Sequence, residues 1–299
     1  MEPSMIFSAI FFLAFVFSLM LGLYIISLDD KNPLNRLLFI IFAVLCVWLF
    51  CFSIANSARS YEMALFWRRF SVFGWGLIYA FVYHYVLLLT RENDTLLKKR
   101  DYLLIYLPAL IVVFVFGLGP MASARYNLQN TTLGWINISL NDIWDWYFYI
   151  YYISYIAASL YLLYQWGYKL EKREAKKQSR IIITALIVAV IFGSLSDLVI
   201  NTYTDLSVPQ LAPIMVMIPL TAIFYCIKRY GLMSSEKSRS VKPGMILSEY
   251  DLSRYYKIVS LFYILSGLAH FVIQYFFQQF PLEITTMDIL LSINSVYFI

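Results

Sequence analysis

Asp197 stands near one end of a long apolar run, residues 181–200, with Ser194, Ser196 and Asn201 around it. A carboxylate in such a setting is costly to bury and usually has a partner or a task. Arg68 and Arg69, at the start of another apolar run (70–90), could supply that partner. A third feature is a row of rings: Trp144, Trp146, Tyr147, Phe148, Tyr149, Tyr151, Tyr152 and Tyr155. The row runs beyond two helical turns, too far for an interfacial belt alone. Tyr147 and Tyr151, four residues apart, share one helical face. Arg68, Arg69, Asp197, Trp75, Tyr147 and Tyr151 together describe a ligand-binding pocket with a charged edge and an aromatic floor. Such a pocket would suit an apolar or cationic small molecule. Plainer readings stand beside it: arginines snorkelling to an interface, a hydrated carboxylate, and rings that pack or face lipid.

The missing chemistry narrows the field. The chain has no P-loop, no GxGxxG after a strand, no HExxH and no GxSxG, so no catalytic group can be named. Cys46, Cys51 and Cys226 all lie in apolar runs without a CxxC, which gives no support to a disulfide framework or a zinc site. The two histidines, His84 and His270, fall in spans running in opposite directions at depths that differ by roughly 12 Å, against a bis-histidine haem. No lysine lies deep in a span, so a retinal Schiff base has no anchor. No cofactor and no metal is expected.

Composition names the elements that must position these residues. Of 299 residues 61% are hydrophobic and only 14% charged, with mean hydropathy +0.70. A soluble domain could not cover so much apolar surface with so few charges. The expected fold is an all-α polytopic membrane bundle. Its apolar runs are 5–28, 37–57, 70–90, 102–119, 143–166, 181–200 and 211–227, followed by 256–280 and 289–299. The last has 11 residues, too few to cross a bilayer, and reads as a truncated span of a longer chain. Residues 1–233 then form a seven-helix module, 234–255 a cytoplasmic linker and 256–299 additional membrane segments. Ser248 to Asp251 could cap the helix that re-enters the membrane.

Charge orients the bundle. Nineteen of the 23 Lys and Arg residues fall in the gaps before spans two, four and six or after span seven, and only Arg59, Arg68, Arg69 and Arg125 lie on the other side. The positive-inside rule puts the N-terminus outside and the basic gaps in the cytoplasm. The net charge of +5 is thereby assigned to loops near anionic lipid, with no nucleic-acid partner. Residues 120–142 become the longest outer loop. Pro108, Pro213 and Pro219 mark places where a span can kink or leave a cavity.

Several segments, in order and spacing, resemble one family. They are Asn32-Pro33-Leu34-Asn35-Arg36, Ala64-Leu65-Phe66-Trp67-Arg68-Arg69, Gly74-Trp75 and Leu87-Leu88-Leu89-Thr90. Tyr106-Leu107-Pro108-Ala109-Leu110, Leu211-Ala212-Pro213 and Arg229-Tyr230-Gly231-Leu232-Met233 complete the set. Across about residues 5–233 the chain is similar to the N-terminal seven-transmembrane region of histidine kinases, a sensory module of bacterial signalling proteins. The resemblance implies an N-terminus outside and a cytoplasmic output domain of histidine kinase or diguanylate cyclase type. The family usually becomes soluble after its seventh span, whereas here 256–280 and 289–299 return to the membrane.

The sequence thus reads as a membrane-embedded input module in the bacterial cytoplasmic membrane. Its partners are the lipid bilayer, a small-molecule or membrane-derived signal, and an output domain or partner protein, with a second copy of the chain left open. A small multi-pass transporter is the alternative. Ion-coupled carriers place several ionisable groups near mid-bilayer, and this chain does not.

Overall fold

The computed structural model describes residues 3–91, 98–169, 173–204, 206–230 and 232. The chain divides into two units, Met1–Ile246 and Leu247–Ile299, and everything below concerns the first. The expected linker 234–255, the segments 256–280 and 289–299, the cap at Ser248–Asp251 and His270 lie outside the described residues.

The protein is an all-α polytopic membrane bundle with one small hairpin. Its helices are α1 (Pro3–Leu28), α2 (Pro33–Asn56), α3 (Tyr61–Phe70), α4 (Val72–Thr90), α5 (Lys99–Val113), α6 (Ile143–Lys169), α7 (Arg173–Ser194), α8 (Ile200–Tyr203) and α9 (Ala212–Tyr230). Local chemistry sets the starts. The Asn32 side chain accepts from Leu34 N at 2.9 Å and Pro33 occupies the first turn of α2, where a missing N–H costs nothing. Ser60 caps α3 by accepting from Met63 N. π-Helical turns, Phe114–Leu118 and Leu195–Val199, extend α5 and α7.

Among the described residues, six stretches are long and apolar enough to cross a membrane: Pro3–Leu28, Pro33–Asn56, Tyr61–Thr90, Lys99–Leu118, Arg173–Tyr203 and Ala212–Tyr230. They coincide with all the expected first seven spans except the fifth. That run is also one unbroken helix, α6, whose 27 residues reach roughly 40 Å. Length is therefore not what keeps it out of the group. Its tyrosines and tryptophans, with their polar handles, lower its hydropathy. The helices at the periphery turn apolar stripes outward: Ile6, Ile10, Leu13 and Phe17 on α1, and Leu103, Leu107 and Leu110 on α5, are all exposed. Stripes of that kind belong against lipid.

Two departures from the sequence reading matter. The third span begins at Tyr61 rather than at residue 70, because Arg68 and Arg69 continue the helix instead of preceding it. Ser71 joins α3 to α4 almost without a break, its N–H bonded to Trp67 O and its hydroxyl to Arg68 O at 2.6 Å. The loop 120–142 is also not irregular: it contains strands β1 (Asn127–Thr131) and β2 (Gly134–Ile138), paired antiparallel with Thr131 opposite Gly134. Gly134 takes a φ of +110°, and a Cβ there would strike the Asn56 amide. That amide donates to Leu133 O at 3.1 Å and to Ser4 O at 3.2 Å, tying the hairpin and the start of α1 to the end of α2.

α2, α4, α6, α7 and α9 pack neighbour to neighbour into a ring, with α1 against α2 and α9, and α5 against α4. Gly74 permits the tightest approach. A Cβ added there would lie 2.5 Å from Trp48 Cβ and 2.7 Å from Val44 O, so α4 rests directly on α2.

Candidate functional site

The ring of helices encloses a cavity, of which about 170 Å³ is open to the centre of a water-sized sphere. That is far more than one water requires, on the order of 10–15 Å³ by the same measure. Its two ends differ. Towards the hairpin it is lined by Arg68, Asn137, Ser139, Asp145, Asp197 and Gln210. Away from the hairpin it is lined mainly by apolar side chains, among them Ile78, Val82, Ile156, Ile182, Leu186 and Leu220, with Tyr79, Tyr85 and Tyr152. The lining on α4 runs to Val86 and that on α7 from Ile182 to Asp197, so the cavity follows the bundle axis for roughly 20 Å.

Arg68 organises the polar end. Its side chain is 3% exposed. One terminal nitrogen donates to Gln210 Oε1 at 2.7 Å and the other to Trp135 O, while the guanidinium lies 3.9 Å from the centre of the Phe52 ring. Gln210 is fixed from its other side, since its Oε1 also accepts from Asn137 N at 3.0 Å and its Nε2 donates to Asn137 O at 3.4 Å. The amide thereby pairs with the β2 backbone as a neighbouring strand would. Tyr126, at the entrance to β1, donates to Phe116 O at 3.0 Å and to Arg68 O at 3.3 Å. Burial pushes its phenol well above the usual range, so it stays a neutral donor.

The two carboxylates of the polar end are already engaged. Asp197, in the π-turn after α7, accepts from Ser196 Oγ at 2.7 Å and from Ala212 N at 3.0 Å. Ser196 Oγ in turn accepts from Leu211 N at 3.2 Å. A negative group thus sits on the positive end of the α9 dipole. Asp145 accepts from Ser139 Oγ at 2.7 Å, and that hydroxyl also meets Tyr149 Oη at 2.7 Å. Tyr152 Oη meets Ser194 Oγ at 2.8 Å.

The structure brings together half of the residues expected to form the site. Arg68, Trp75 and Asp197 line the cavity, with Trp75 edge-on to Phe148 at 4.9 Å. The pairing open to Asp197 is not formed as a contact, and among the described residues the ion pair recorded is Arg125 with Asp142. Arg69 is turned away from the cavity and donates to Ser123 Oγ at 2.9 Å and Gly117 O at 2.8 Å. Tyr151 is buried against α4, its Oη 3.1 Å from both Ala80 N and Gly76 O. Tyr147 reaches Pro108 O on α5 at 3.4 Å. Sequence reasoning passed over Trp48, Asp145 and Gln210. Asp145 gave a usable signal, a carboxylate three residues inside an apolar run, masked by the flanking tryptophans. Gln210 gave none. Among the described residues no three His, Cys, Asp or Glu side chains converge as they would on a metal ion.

The family model for the N-terminal 7TM region of histidine kinase matches residues 10–235. No curated protein and no solved structure matches the chain. The family match takes in α2 to α9 whole, α1 from residue 10 onward, and most of the chain. This protein belongs to the family of N-terminal seven-transmembrane regions of histidine kinases, and is a membrane-embedded input module.

Proposed function

We propose that the chain senses a signal in the bacterial cytoplasmic membrane, with its N-terminus outside, and passes it inward to an output domain of histidine kinase or diguanylate cyclase type. Residues 1–233 form the sensor, 234–255 the cytoplasmic linker, and 256–299 further membrane segments. A small molecule enters the central cavity and touches Arg68, Trp75 and Asp197. Arg69, Tyr147 and Tyr151 hold the wall behind them. One observation carries the reading: the polar end of the cavity is wired to the first turn of α9. Asp197 accepts from the Ala212 N–H, and Gln210, two residues before α9, is held by Arg68. α9 then leads to Lys228 and Arg229, where the basic cytoplasmic segment begins. A ligand that binds one packing of α9 better than another shifts the population of that packing, which is all a sensor requires.

The test uses the full protein in its host. Reporters fused after Thr90, Arg173 or Lys237 should report cytoplasm, and one inside 121–142 the outside. Cells carrying Asp197→Ala should reproduce or invert part of the transcript changes that follow deletion of the gene. A cytoplasmic signal from 121–142 overturns the orientation. Gradient-driven uptake of solute by reconstituted vesicles, with unaltered transcripts in Asp197→Ala cells, would replace sensing with transport.

A further inference from the structure

Among the described residues, two buried donors in the cavity wall have no acceptor. Trp48, 3% exposed, has no partner for its indole Nε1–H, and Arg68, equally buried, has none for its Nε–H. Both residues line the cavity, on either side of the Phe52 ring: Trp48, one turn earlier on α2, is edge-on to it at 6.0 Å, and the Arg68 guanidinium of α3 lies on its face. Leaving such donors unmatched in an apolar interior is costly, the more so for a charged group. Arg68 adds a full positive charge whose hydrogen bonds go only to neutral oxygens, Gln210 Oε1 and Trp135 O.

The two nearby carboxylates are engaged elsewhere. Asp197 Oδ1 accepts from Ser196 and the α9 backbone and Asp145 Oδ2 from Ser139, and among the described residues neither forms an ion pair with Arg68. What lacks a partner at this point is a pair of donors, which an oxyanion satisfies. Past the Arg68 level the cavity runs for most of its roughly 20 Å along a mainly apolar wall, with Val82, Leu186, Ala189 and Leu220 beside the rings of Tyr79, Tyr85 and Tyr152, which suits a tail better than an extended polar ligand.

We propose that the occupant is a single-chain amphiphile of the long-chain carboxylate class, its oxyanion head on Arg68 and Trp48 and its tail along Val82, Ala189 and Leu220. This rests on the sensory reading above and names the class of molecule that the same site takes. The Arg68 end selects acid over ester.

Native mass spectrometry of the full chain released from detergent counts the bound molecule directly. The probes are palmitate, its methyl ester, butyrate and dioleoyl phosphatidylglycerol. The expected result is one palmitate adduct, with the ester and butyrate binding at least tenfold more weakly. Arg68→Gln should weaken palmitate at least tenfold and leave the ester unchanged. Trp48→Phe, which keeps an aromatic ring in the α2–α4 contact, should give a smaller loss of the same kind if Arg68→Gln does not fold. Ala189→Phe, which fills the tail region, should remove acid and ester together. Equal binding of acid and ester, or undiminished palmitate binding in both head variants, overturns the proposal. A phosphatidylglycerol adduct that palmitate cannot displace overturns the single-chain assignment. If palmitate fails while Asp197→Ala still alters the transcripts, the ligand class is wrong and the sensor reading stands.

Discussion

The polar end of the cavity and the wall between α4, α5 and α6 are built from the same kinds of residue, and they end in opposite states. In the wall three tyrosine hydroxyls are engaged by backbone. Tyr151 bonds Gly76 O and Ala80 N, and Tyr147 bonds Pro108 O. Tyr155 donates to Leu104 O at 3.0 Å and Ile105 O at 2.9 Å. The last pair has a clear cause. Pro108 has no N–H to offer the carbonyl four residues earlier, Leu104, and the Tyr155 phenol replaces it. In the cavity, by contrast, Arg68 Nε and Trp48 Nε1 have nothing to bond. A side chain with a polar handle is structural where the backbone accepts it and left unsatisfied where no acceptor comes within reach. Polar residue type alone does not tell the two apart.

The strongest way to break that comparison is Arg68→Ala. It removes both hydrogen bonds from the guanidinium, leaving Gln210 Oε1 and Trp135 O without that donor, so we expect a loss of about 2–4 kcal/mol in stability together with complete loss of the signalling response. Arg69→Ala removes contacts to Ser123 and Gly117 at a partly exposed site and should cost about 1 kcal/mol or less, with the response retained. Thermal melting in detergent and transcript output are measured on both. Equal damage from the two arginines would erase the distinction between wall and cavity.

Tyr151→Phe comes next and should behave as a wall residue. Losing a buried phenol that serves Gly76 O and Ala80 N costs about 1–2 kcal/mol and lowers the melting temperature. The concentration of signal that gives half-maximal output should not move. A shifted half-maximal concentration without a stability change would put Tyr151 back in the ligand site.

These contrasts also show how far the sequence could be read. The bundle was legible because apolar runs and the Lys/Arg asymmetry are properties of long segments, insensitive to any one side chain. Arg68 and Arg69 were not separable, since neighbours on a helix point about 100° apart and no periodic pattern says which direction holds the cavity. Tyr151 was misjudged for the same reason from the other side. Its face was identified, but not that α4 would present the Gly76 carbonyl to its hydroxyl. The start of the third span was displaced because two adjacent charges look like an interface, while in the fold one of them is buried by the hairpin strand β2. That strand was hidden in a segment rich in Asn and Thr, which reads equally well as loop.

Asp197→Asn probes the link rather than the site. Asparagine keeps an oxygen for the Ala212 N–H but removes the negative charge from the α9 N-terminus, worth about 0.3–1 kcal/mol. Stability should fall by no more than that, while the basal output shifts, because the packing of α9 is what the output reads. An unchanged basal output would separate α9 from signalling.

The smallest effect is expected at Arg125, and it is informative because the residue looks important. Its ion pair with Asp142 stands on the hairpin side of the bundle, the side chains 18% and 32% exposed, so solvent screens the attraction. Pairs of this kind contribute about 0–1 kcal/mol. Arg125→Ala should therefore cost less than about 0.5 kcal/mol and leave output untouched. Asp142→Ala should cost more, about 1 kcal/mol, although it removes the same ion pair. The reason is that Asp142 Oδ1 accepts from Trp144 N at 2.9 Å and Asp145 N at 3.2 Å, which makes it the cap of α6. The difference between the two variants, read as a shift in melting temperature, isolates the cap from the charge. If Arg125→Ala proves as harmful as Asp142→Ala, the ion pair and not the cap holds the start of α6, and electrostatics on this side of the bundle carries more than screening allows.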